Sequence, residues 1–156
     1  MFLKLLSYSF FVIALLTGSA NANQVTAKVA YVIDGDTVIF YDDNNKKNSV
    51  RLAEIDAPEK LQRYGFESKE FLSKMINKKI VTIQYDKKDR YGRIIGKIYI
   101  DGNYVNQKMV SSGYAWHYKR YSNSKELSHL EDVAKNLKLG LWHDENPMPP
   151  WEFRRK

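Results

Sequence analysis

The sequence predicts an α+β domain dominated by strands, a small antiparallel barrel with helices packed outside it. Three observations carry that expectation. β-Branched and aromatic residues cluster in short runs at 28–33, 37–41, 49–55, 81–85 and 94–100. Apolar residues recur at helical spacing over 64–77, 104–112 and 127–137. So few strands in an open sheet would leave bare edges, and closure removes them.

The elements follow in order. The first two strands flank the turn dipeptide Asp34-Gly35, and Asp42-Asp43-Asn44-Asn45 turns the chain into the third, which Pro58 stops. The first helix, 64–77, gathers Phe71, Leu72, Met75 and Ile76 on one side. Val81, Ile83 and Tyr85 alternate with Thr82 and Gln84 as a fourth strand, and a loop over 86–92 leads to the fifth. Asn103 is placed to cap the second helix and Gly113 to close it. Asn123 and Glu126 have capping-box spacing for the third, whose Leu127, Leu130, Ala134 and Leu137 recur until Gly140. The tail, with Pro147, Pro149, Pro150 and Trp151, is expected to lie along the body without regular helix.

Residues 1–22 read as a signal peptide. Lys4 is followed by an apolar run over 5–16 and by Ala20-Asn21-Ala22, a pattern of small residues that suits cleavage. The run is shorter than the roughly 18 residues a membrane-spanning helix needs. The expected product is one domain over 23–156, secreted or periplasmic and monomeric. Cysteine is absent, which excludes disulfides, thiolate metal sites and a cysteine nucleophile together. A formal charge of +7 with 11 Tyr, 3 Trp and 7 Phe suits a polyanion with stackable bases, although a solvated basic protein shares that composition.

The chemistry-bearing residues begin with acids. Asp34 and Asp36 flank a tight turn, and Asp56 and Glu59 stand at a strand end around Ala57-Pro58. Carboxylate oxygens without thiolates favour hard cations, Ca²⁺ or Mg²⁺. His117, His129 and His143 are far apart, which argues against zinc. Arg51 opens an apolar stretch and Arg93 stands at the mouth of the fifth strand. Taken singly, each acid pair is equally an ordinary turn or cap, and each arginine a surface residue. With period two, Arg51 and Asp56 face opposite ways unless the strand has ended before Asp56.

Together they are more specific. Val-Ile-Asp-Gly-Asp-Thr at 32–37, Arg-Leu-Ala-Glu-Ile-Asp-Ala-Pro-Glu at 51–59 and Asp-Arg-Tyr-Gly-Arg at 89–93 resemble the signature segments of the staphylococcal nuclease family, in order and spacing. Gly113-Tyr114-Ala115-Trp116, Leu139-Gly140-Leu141-Trp142 and Pro149-Pro150-Trp151-Glu152-Phe153-Arg154 look like its secreted bacterial members. The resemblance implies an OB-fold barrel of five antiparallel strands with three helices. It implies a calcium-dependent, largely sequence-non-specific endonuclease that cuts DNA and RNA and leaves 3′-phosphate ends. By matching positions, Asp36, Asp56 and the Ala57 carbonyl would bind Ca²⁺, with Asp34 assisting through water. Glu59 would be the general base, and Arg51 and Arg93 would grip the scissile phosphate.

Tyr91, Arg90 and Lys87 would contact substrate, with Lys87, Lys88 and Arg90 on a basic loop. Tyr118 and Tyr121 can stack on a base or pack against the barrel. The chain reaches Tyr64-Gly65 soon after Glu59, so the family's lysine-rich loop is shortened beside the base. The competing expectation is a non-catalytic OB-fold module that binds nucleic acid. Such a module would have no need of both acids, the base and both arginines.

Overall fold

The barrel is organised around one long strand. The computed structural model describes residues 22–156, so the leader expected over 1–22 lies, Ala22 apart, outside the described residues. Strand β1 (Asn23–Asp34) pairs antiparallel with β5 (Ile80–Lys88) along its first half and with β2 (Thr37–Tyr41) along its second. Register shifts between Val29 and Tyr31 and between Val32 and Asp34 bend it from one neighbour to the other. The Asp42 carboxylate accepts the Asn44 and Lys46 N–H groups at 3.0 and 2.9 Å, which shapes the turn into β3 (Lys47–Leu52).

Strand β6 (Ile94–Ile100) pairs antiparallel with β5 and parallel with β3, through Val50↔Ile94, Arg51↔Ile95 and Leu52↔Gly96. That last pairing closes a barrel of five strands in the order β3-β2-β1-β5-β6. The closing pair is therefore parallel, where an antiparallel barrel was expected. Val29, Val38, Val50, Leu52, Ile83 and Ile98 fill the interior, each 1% exposed or less.

The third strand ends at Leu52, earlier than expected, because Glu54 takes a positive φ of 67° and reverses the chain. A two-residue strand β4 (Ile55–Asp56) follows and belongs to a separate sheet with β8 (Trp116–His117), beyond the short β7 (Asn103–Tyr104) on the edge of β6. Outside the barrel lie α1 (Gly65–Ile76), α2 (Val105–Ser111), α3 (Lys125–Asn136) and α4 (Pro150–Phe153), with a 3₁₀ turn over Gly140–His143. Leu72 and Ile76 of α1, Met109 and Val110 of α2, and Leu127 of α3 join the barrel's core.

The helix ends differ in detail from the sequence pattern. Asn103 binds the carbonyls of Ile100 and Asp101 and does not cap α2, whose N-cap is Tyr104. The cap of α3 is Ser124, accepting from the Leu127 N–H at 3.2 Å, rather than Asn123. Gly113 does close α2, at φ 75°, and an added Cβ there would lie 2.2 Å from the Leu139 carbonyl oxygen. The proline-rich tail contains a fourth helix, since Pro150 sits in its first turn, where no intrahelical donor is lost.

Asn106, wholly buried in the first turn of α2, ties the helix to the chain reversal after β3. Its Oδ1 accepts the Ile98 N–H at 3.1 Å, and its Nδ2 donates to the carbonyls of Ala53 at 2.9 Å and Gly96 at 3.1 Å. Asn106→Ala strands the Ile98 donor and loosens the Ala53 acceptor, each worth about 1–3 kcal/mol when buried. Urea unfolding is expected to show a loss of roughly 3 kcal/mol, and a loss under 0.5 kcal/mol would contradict this role.

Candidate active site

The turn from β1 to β2 carries the first acids. Gly35 is required there, because a Cβ would lie 2.0 Å from the Ser68 hydroxyl and 2.7 Å from the Ala57 Cβ. The close approach brings Asp36 beneath the segment that follows β4. The Ala57 N–H donates to Asp36 Oδ2 at 2.6 Å, and the Asp36 N–H donates to Asp34 Oδ1 at 3.1 Å.

Arg51 joins the two acid clusters. Its Nε lies 3.1 Å from Asp36 Oδ1 and its Nη2 2.8 Å from Asp56 Oδ1, while Nη1 donates to the carbonyls of Leu52 at 2.7 Å and Ile55 at 2.9 Å. The reversal at Ala53-Glu54 makes this contact available, since Arg51 and Asp56 lie on different strands and period two does not separate them. Glu54 is held in turn by Lys97, Tyr104 and Ser122, at 3.1, 2.9 and 3.2 Å. Burial works against its charge, but these partners together keep its carboxyl below the usual range.

Asp36 is 6% exposed, and Asp56 is fully buried. Burial pushes the Asp36 carboxyl up to about 7; Arg51 and the Ala57 N–H oppose the rise, and the charges of Asp34 and Asp56 add to it.

Glu59 stands on the short loop into α1. Its N–H donates to Gln62 Oε1 at 3.1 Å, and Gln62 Nε2 donates to the Met148 carbonyl at 2.6 Å, so the tail braces the loop. Arg154, just past α4, was missed by the sequence reading as a member of the site. Its Nη1 donates to Glu59 Oε1 at 2.6 Å and to Asp56 Oδ1 at 3.2 Å, and its Nη2 to Asp56 Oδ2 at 2.8 Å. The only signal was its place at the end of the 149–154 motif, 95 residues beyond Glu59.

Opposite these acids, Asp89 aims Arg93. Its carboxylate accepts Arg93 Nε at 2.8 Å and the Arg93 N–H at 3.0 Å, leaving Nη1 and Nη2 without a carboxylate partner among the described residues. Tyr91 is 69% exposed, with the guanidiniums of Arg90 and Arg93 4.8 and 5.7 Å from its ring centroid. Lys87 and Lys88 are on β5, paired with Ile95 and Ile94, and not on a basic loop as expected; only Arg90 is in the turn. Tyr118 lies parallel to Trp151 at 5.3 Å and edge-on to Tyr121 at 4.9 Å. Tyr118 therefore packs, and Tyr121 is the exposed ring of the pair, at 67%.

All twelve positions singled out from the sequence line one cleft of about 1270 Å³, together with Arg154. Its donors are oxygens only. Arg51 contacts Asp36 and Asp56, Arg154 contacts Asp56 and Glu59, and Asp34 adjoins them through the Asp36 N–H. The carboxylate and carbonyl oxygens fit a hard cation in donor type. Among the described residues, no three acids or histidines are drawn together as a finished ligand set, because arginines lie across the carboxylates.

The raised Asp36 value carries a sign. A folded value near 7 above the ordinary 3.8 means the folded state holds the proton more tightly, so this group's contribution to stability falls as pH rises between those limits. Asp36→Asn in chelator-treated protein is expected to gain stability relative to the parent on going from pH 5 to pH 8, measured by denaturant unfolding. A difference that stays constant across that interval would contradict the burial cost.

A family model described as "Staphylococcal nuclease homologue" matches residues 49–144. The chain is 43% identical over 133 residues to an "uncharacterized endonuclease" of Escherichia coli, an overlap of 85% of this chain and 86% of that protein. It is 37% identical over 153 residues to a Haemophilus influenzae protein of the same description, 98% of this chain and 86% of its relative. A staphylococcal-like nuclease of Arabidopsis thaliana is 41% identical over 110 residues, 70% of this chain and 34% of that longer protein. The family match spans Arg51, Asp56, Glu59 and Arg93 and lies on the barrel described above. By fold, site and relatives alike, this chain belongs to the staphylococcal nuclease family.

Proposed function

We propose that the protein is a calcium-dependent, largely sequence-non-specific endonuclease that hydrolyses DNA and RNA to 3′-phosphate ends. The observation that carries this reading is the convergence of four carboxylates and three arginines, Arg51, Arg93 and Arg154, in one open cleft. Nuclease chemistry is supported by the relatives' names as well. Phosphodiester hydrolysis needs the phosphate charge neutralised, a water deprotonated and a departing oxygen stabilised.

The arginines divide that work. Arg51 donates three hydrogen bonds, to Asp56 and to the Leu52 and Ile55 carbonyls, and sets its Nε 3.1 Å from Asp36, so its main task is to hold the acids. Arg93, oriented through Nε and lining the cleft, keeps both Nη atoms without a carboxylate partner among the described residues and is the phosphate fork, a planar two-point donor that lysine cannot reproduce. Glu59 gives Oε1 to Arg154 and keeps Oε2 to accept a proton from water, a role typically worth about 10²–10⁴ in rate.

Asp36, Asp56 and the Ala57 carbonyl would hold Ca²⁺, with Asp34 assisting through water. When bound, the ion supplies charge neutralisation at the phosphate and a more acidic water. Tyr91, Arg90, Lys87 and Tyr121 line the route of the substrate, with Tyr118 as the inner wall. Export to the medium or a periplasm suits such a cofactor, because extracellular calcium sites work with dissociation constants of roughly 10⁻⁴ to 10⁻³ M. We infer that the active form is the monomeric 23–156 domain.

The test is digestion of single- and double-stranded DNA and RNA by residues 23–156, with Ca²⁺ or EDTA, and analysis of the product ends. Cleavage to 3′-phosphate ends with Ca²⁺, abolished by EDTA and reduced about 10²-fold or more in Glu59→Gln, is the expected outcome. Chelator-resistant cleavage would overturn the metal. Tight binding without any cleavage would favour the non-catalytic module.

A further inference from the structure

The family roles leave the 149–154 motif without a task, yet it ends inside the site. Pro149 and Pro150 start α4, Trp151 stacks on Tyr118 with 3° between ring planes, and its ring also meets Trp116 edge-on at 5.6 Å. Two aromatic contacts thus anchor a four-residue helix that has no intrinsic stability of its own. Arg154 follows directly and spans Asp56 and Glu59 with three hydrogen bonds.

We propose that Arg154 is the positioning residue for Glu59, set by the Trp151–Tyr118 stack and tied to the metal-side acid Asp56. Glu59 is on an exposed loop and, among the described residues, Arg154 is the only cation in contact with its carboxylate. A carboxylate on a stem of two methylenes has several rotamers open to it, and catalysis needs one. The fork of Arg154 selects the rotamer in which Oε1 is occupied and Oε2 has no protein partner among the described residues. The same fork sits on both oxygens of Asp56. Its positive charge therefore opposes a divalent cation at that carboxylate. Arg154 is predicted to favour turnover and to weaken cation affinity at once, a pairing that loss of structure cannot mimic.

The inference rests on the nuclease reading, and its experiment separates the two. Ca²⁺ affinity is measured by calorimetry, and kcat and KM on a short oligonucleotide, for the parent, Arg154→Ala, Arg154→Lys, Glu59→Gln and the double variant Arg154→Ala/Glu59→Gln. Arg154→Ala is expected to lower kcat about 10- to 100-fold with KM changed less than about threefold, the scale on which a misplaced catalytic group acts. Ca²⁺ is expected to bind a few-fold more tightly, and Arg154→Lys to recover part of the loss. In the Glu59→Gln background, removing Arg154 is expected to cost almost nothing further, because the two act as a unit. An unchanged kcat in Arg154→Ala, weaker Ca²⁺ binding, or a multiplicative loss in the double variant would each overturn the assignment. A parent without Ca²⁺-dependent cleavage would overturn the nuclease reading, and this inference with it.

Discussion

The ion pairs of Arg51 with Asp36 and Asp56 are the interaction on which the rest of the site depends. Two buried carboxylates repel each other, at about 4 kcal/mol for unit charges 4 Å apart in a medium of effective dielectric 20. Arg51 bridges them at 3.1 and 2.8 Å with its side chain 15% exposed. It also binds carbonyls on both sides of the Ala53-Glu54 reversal, so the group that balances the acids also fixes the turn that brings them together. Removing it would leave Asp36 without a cation, while Asp56 kept Arg154, and a buried charge stripped of its partner costs more than the net worth of the pair.

That arrangement requires a closed barrel. Arg51 is paired with Thr37 on one side and with Ile95 on the other, so β3 is held between β2 and β6 where its arginine enters the cleft. Val50 and Leu52, its neighbours, point into the core with 0 and 1% exposure. The alternation of the strand therefore delivers two apolar side chains to the core and the guanidinium to the cleft. Beyond Leu52 the pleat no longer governs, and Asn106 and Glu54 take over by hydrogen bonds.

Strands and helices were legible in the sequence because their periodicity is local. β2 and β6 have the bounds that their β-branched runs imply, and Leu72 and Ile76 are as buried as the helical spacing requires. The parallel β3–β6 closure was not legible, since no local pattern reports which distant strands meet. Nor were the caps of α2 and α3: Asn103 and Asn123 have the right chemistry, but neighbouring residues take the cap. The cluster around Asp34, Asp36, Arg51, Asp56, Glu59 and Arg93 was legible through its ordered motifs. Arg154 was not, because its partners are far away in sequence and a terminal arginine looks like any solvated charge.

The site holds acids at close quarters that folding alone would disfavour, with Asp36 pushed up to about 7. Such local cost is expected where a binding site is kept ready for a ligand. Ligand binding to the folded state alone adds stability that grows with concentration, about 2.7 kcal/mol at one hundred times the dissociation constant. The most direct measurement is the thermal unfolding midpoint of residues 23–156 across a Ca²⁺ titration, for the parent and for Asp56→Asn. The midpoint is expected to climb with Ca²⁺ in the parent and to stay flat in the variant. A parent midpoint indifferent to Ca²⁺, or an equal climb in Asp56→Asn, would contradict that expectation.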